Sequence, residues 1–70
     1  MKVYIIMKHH YPEKVFTTFE KAKDFLRPQV EKFLNRVCEG DTNMISDFME
    51  FFEKDGYIED FCNIVSFEAE

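Results

Sequence analysis

The sequence predicts an α+β fold: a two-layer sandwich of order ββααβ, with a three-stranded antiparallel sheet carrying two helices on one face. Three observations lead there. The opening, Lys2-Val3-Tyr4-Ile5-Ile6-Met7-Lys8, is β-branched and aromatic without helical spacing. Two stretches in the middle of the chain repeat their apolar residues at intervals of three and four. A second aromatic and β-branched stretch, Tyr57 to Phe67, closes the chain. At 70 residues this is a single domain, 1–70, and a multidomain enzyme is excluded. Hydrophobic residues make up 46%, with nine Phe and three Tyr, enough for a core and too many for a disordered segment.

Residues 2–8 form the first strand. Alternation places Val3, Ile5 and Met7 on one face and Tyr4, Ile6 and Lys8 on the other. The expectation is that Tyr4 and Ile6 face away from the helices and meet a second copy of the chain. His9-His10-Tyr11-Pro12-Glu13 reads as a turn, followed by a short second strand over 14–17. Thr17 and Glu20 have the spacing of a capping box, with Thr18 as the alternative cap. Phe19, Ala22, Leu26, Val30, Phe33 and Val37 then fall on one helical face, predicting a helix over about 17–38. Pro28 lies opposite that face without breaking its phase, so one helix kinked near Pro28 is expected rather than two. Gly40 suits a left-handed cap. Thr42 or Asn43 can cap a second helix that runs to about Asp55 and closes at Gly56, and a last strand covers about 60–67.

The second helix carries the most informative surface. Met44, Ile45, Phe48, Met49, Phe51 and Phe52 span a wide arc, more than one neighbouring layer covers. Asp47, Glu50 and Glu53 form an acidic stripe on the other side, with Glu50 spaced to pair with Lys54. Net charge is −5, and it is divided unevenly. Residues 1–36 hold eight cations and four anions, a net of +4; residues 37–70 hold one cation and ten anions, a net of −9. Such acidity disfavours generic binding to a phosphate backbone, and it suits a steered protein partner or an acidic mimic of nucleic acid.

Catalytic and metal chemistry find little support. His9 and His10 are adjacent, so on an extended chain they point to opposite sides, and no metal-ligand spacing accompanies them. Cys38 and Cys62 sit in apolar stretches, which suits reduced, inert core thiols, although the sequence leaves a bridge between them open. Ser46 and Ser66 stand in no nucleophile motif, and two glycines cannot build a phosphate-binding loop. No enzyme activity, metal or cofactor is expected. No signal peptide or membrane span is visible, so a cytoplasmic protein is expected.

The opening Lys2-Val3-Tyr4-Ile5-Ile6-Met7, the joint Val15-Phe16-Thr17-Thr18-Phe19-Glu20-Lys21-Ala22-Lys23-Asp24-Phe25-Leu26 and the acidic chain end resemble short bacteriophage-encoded accessory and inhibitor-type proteins. The resemblance covers about a third of the chain and rests on fold-forming residues. It implies a small α+β domain that binds a host or defence protein in the host cytoplasm, anti-CRISPR proteins being one example. The reading is therefore a non-enzymatic protein-binding inhibitor acting by occlusion, with Asp47, Glu50 and Glu53 as the steering stripe and Met49 and Phe51 as apolar anchors. The alternative is an acidic nucleic-acid mimic occupying a basic groove. Tyr4 and Ile6 are the expected self-association residues of a possible homodimer.

Overall fold

The computed structural model describes residues 1–9 and 11–68. Its elements are β1 (Lys2–Lys8), β2 (Tyr11–Phe16), α1 (Phe19–Val37), α2 (Thr42–Asp55), β3 (Tyr57–Ile58) and β4 (Cys62–Glu68). The fold is α+β with an antiparallel sheet, as the sequence predicts, but the sheet has four strands in the order β2-β1-β4-β3. The additional strand is Tyr57-Ile58. The Glu59–Phe61 turn, with Asp60 at a φ of 64° and the Phe61 amide donating to the Ile58 carbonyl, folds it back onto Asn63 and Cys62. Two residues carry no periodicity, so only the turn makes this strand. β2 begins at Tyr11 rather than 14, because the register shifts by one residue opposite Ile6 and Met7. Pro12 is accommodated there because β2 is an edge strand whose outer amides need no partner.

α1 is one continuous helix with Pro28 inside it. Its cap is Thr18, whose hydroxyl accepts from the Lys21 amide at 3.1 Å, so the Thr17–Glu20 box does not form. Glu20 instead pairs with Lys23 at 2.9 Å. The cap of α2 is Asp41, which accepts from the Met44 amide, one residue before the threonine and two before the asparagine that the sequence suggested. The buried apolar residues of α1 are Ala22, Leu26, Val30 and Leu34, continued by Cys38. This is the i±4 ridge of the helix, inclined to its axis, so the face drifts away from Val37, which is exposed.

α1 packs over β1, β2 and β4, and α2 lies against α1 and β3. The core between them holds Ile6, Ile58, Cys62 and Ile64 of the sheet and Phe52 of α2. This reverses the two faces of β1. Ile6 is fully buried beneath α1, and Tyr4 packs against Phe19 with ring centroids 5.9 Å apart, so Ile6 offers nothing to a second copy. Lys8 shares this helix-facing side despite its charge. In the fold its ammonium reaches Gln29 Oε1 at 2.7 Å and stands over the Phe61 ring, keeping a lysine on the helix side at the sheet margin. Lys14 does the same over Phe16 and Phe25. Val3, Ile5 and Met7 face the open side.

Candidate functional site

The surface on α2 is built by the angular spread of its side chains. At 100° per residue, Ile45, Met49 and Phe52 share one direction and turn to the core, where Phe52 is fully buried. Met44, Phe48 and Phe51 lie on the flank of that arc and remain 40–48% exposed. Gly56 ends the helix at a φ of 66° and throws the chain straight into β3. Tyr57 thereby lands beside Phe51, edge to face at 6.0 Å. The result is an open groove of about 470 Å³ lined by Met44, Phe48, Phe51, Tyr57 and Ile58, with Asp47 and Glu59 at its edge.

The acidic stripe does not survive as a unit. Glu53 is drawn toward α1, where Arg27 Nη2 donates to both its carboxylate oxygens at 2.6 and 2.9 Å and Nε donates at 3.1 Å. Arg27 also holds Asp24, and these two acceptors, Glu53 first, push the guanidinium further toward its charged form. The buried Lys23 donates to the Glu53 backbone carbonyl at 2.9 Å while covering the Phe19 ring. Glu53 is thus the latch between the helices, unavailable as a steering group. Asp47 and Glu50 make no ion pair among the described residues, and the Glu50–Lys54 pair does not close. Met49, placed among the anchors by sequence, packs against the core instead; Phe51 is exposed as expected. Met44 and Phe48 take the place of Met49. Their angular separation from Phe52 was in the sequence, but not which edge of the arc would face inward.

Chemistry-bearing residues elsewhere do not converge. Cys38 and Cys62 are free thiols, both buried. Burial pushes the Cys62 thiol up to about 11, against the smaller opposing pulls of the Ile58 backbone and the Lys8 charge. That is the reverse of what a nucleophile needs. His9 sits exposed in the β1–β2 turn at a φ of 51°, and His10 lies outside the described residues. No group of three metal-ligating side chains occurs among the described residues. None of their helices is long and apolar enough to cross a membrane.

No protein-family model, curated protein or solved structure matches the chain. The functional reading therefore starts from the α2 groove itself.

Proposed function

We propose that this chain is a small, non-enzymatic protein-binding module that docks through the outer flank of α2 and acts by occluding its partner. The observation that carries the reading is the exposed cluster of Met44, Phe48, Phe51 and Tyr57 around one groove. Aromatic and thioether side chains are the residue types that dominate binding energy at protein interfaces, and Met adapts to varied shapes. Asp47 and Glu59 border the cluster, so the complementary surface is apolar at its centre and cationic at its rim. The resemblance to short phage-encoded inhibitors makes a host or defence protein the class of target to try first, in the manner of an anti-CRISPR protein.

The test compares capture from bacterial lysate by the wild-type chain, by Phe48→Ser/Phe51→Ser and by Asp47→Asn/Glu50→Gln. A partner held by the wild type should be lost from the Phe variant and should bind the amide variant more slowly, with release little changed. Binding should weaken only modestly between low and high salt. A partner insensitive to the Phe substitutions and released steeply by salt would overturn the reading in favour of the nucleic-acid mimic.

A further inference from the structure

The sheet face away from α1 is a second apolar surface, which adjoins the α2 groove at Tyr57. Its strand positions are Val3, Ile5 and Met7 of β1, Pro12 and Val15 of β2, Asn63, Val65 and Phe67 of β4 and Tyr57 of β3, following the cross-strand register. None carries a charge, in a chain where 33% of residues do. An antiparallel sheet with one solvated face normally alternates apolar inward with polar outward, and this one does not. Val15 is 56% exposed, Val65 40% and Phe67 60%. Contiguous apolar surface of this extent is uncommon on a monomer.

We propose that this face is the interface of a two-fold homodimer in which the two sheets stack. Shape selects a second copy. Phe67 projects at one end of β4, and at the other end lies an open hollow of about 490 Å³, lined by Met7, Tyr57, Asn63 and Val65 together with the Glu59–Phe61 turn. A two-fold axis crossing β4 near Val65 lays Phe67 of each copy over the hollow of the other, so one surface supplies both bump and socket. Area agrees. The exposed parts of these side chains amount to roughly 600 Å² a copy and about 1,200 Å² for the pair, the lower edge of the range for specific interfaces. Charge agrees as well. Each copy carries −5, and α2 is acidic, which opposes contact between the α2 surfaces of two copies. Stacked sheets lie ~10 Å apart with the helices outermost, which separates the two α2 helices by about 30 Å, several screening lengths at physiological salt. The Met44, Phe48 and Phe51 side of the α2 groove stays open in this dimer.

Sedimentation equilibrium of the full chain across the micromolar range tests it. The wild type should approach twice 8.5 kDa. Val15→Lys/Phe67→Lys should raise the dissociation constant at least about 100-fold, because the Phe67 bump would be lost and four ammonium groups would be buried against strand positions that carry no charge. Met44→Ser/Phe48→Ser, which spares the Phe51–Tyr57 ring contact, should leave it unchanged, which separates failure here from failure of the α2 site. Should the lysine variant not fold, dilution of the wild type followed by NMR decides: Val15 and Val65 methyl signals should move with concentration and the Met44 methyl should not. A wild type that stays monomeric, a dimer indifferent to the lysines, or dilution shifts centred on Met44 would each overturn the proposal.

Discussion

Gly56 and Gly40 have similar left-handed backbones, with φ of 66° and 79°, and quite different surroundings. A Cβ on Gly56 would sit 2.8 Å from Phe19 Cε1 and 3.0 Å from Ile64 Cδ1, whereas one on Gly40 meets nothing within 4 Å. Gly40→Ala should therefore cost only the backbone strain, about 1 kcal/mol, and Gly56→Ala about 3 kcal/mol from strain and overlap together. Urea midpoints of the two variants, compared with the wild type, check the contrast. Cys62 makes a second residue-scale prediction. Its folded thiol ionises near 11 and the unfolded one near 9.0, so the unfolded chain loses its proton first as pH rises. The contribution to stability is whole below about pH 9 and is lost as pH climbs through 11. Thermal melts should fall over that window, and Cys62→Ala should show a shallower fall. Burial of Cys62 was legible in its apolar neighbours. The close approach of Phe19 to Gly56 was not, because 37 positions separate them along the chain.

Along α1 the phase of the apolar residues made one helix readable through Pro28, and one helix is what forms. Pro28 has no amide for the Asp24 carbonyl, and it is exposed, so alanine would add the missing bond without disturbing the core. Pro28→Ala should raise stability by about 2 kcal/mol, after allowing for the greater freedom of the unfolded chain. A higher urea midpoint with unchanged slope is the expected signature. α2 depends on its neighbour. Arg27 and Glu53 are each about a third exposed, so their pairing is worth only about 1 kcal/mol despite its forked geometry. Glu53→Gln should lower the melting midpoint modestly, while Asp47→Asn should leave it where it is. The spacing of Asp47, Glu50 and Glu53 suggested one stripe. Three-residue steps rotate 60° backward each time, enough to carry Glu53 round to α1 while Asp47 stays beside Phe48.

Across the whole molecule, β1 holds the architecture. It is the one strand bonded along its length on both sides, to β2 and to β4, and Ile6 at its middle is fully enclosed. β2 is an edge, and β3 is two residues long. Amide exchange should be slowest at the centre of β1, in its β4 partners and in α1 around Val30 and Leu34. It should be fastest in β2 and β3, with α2 between, since α2 is anchored mainly by Phe52 and the Arg27–Glu53 latch. Slow exchange centred on α2 instead would mean that the helix pair, not the sheet, is the most stable unit.

By itself the sequence determined the α+β class, both helices to within about two residues, the first strand, and the division between a basic and an acidic half. These are local properties: periodicity, caps and charge depend on neighbours a few positions away. Only the tertiary structure decided which face of β1 meets the helices, which edge of the α2 arc stays in solvent, and that Glu53 is spent on Arg27. Each depends on which of two chemically similar faces turns inward. Lysines whose stems lie on aromatic rings, such as Lys8 and Lys14, make the buried face look like the wet one until the partner rings are in place.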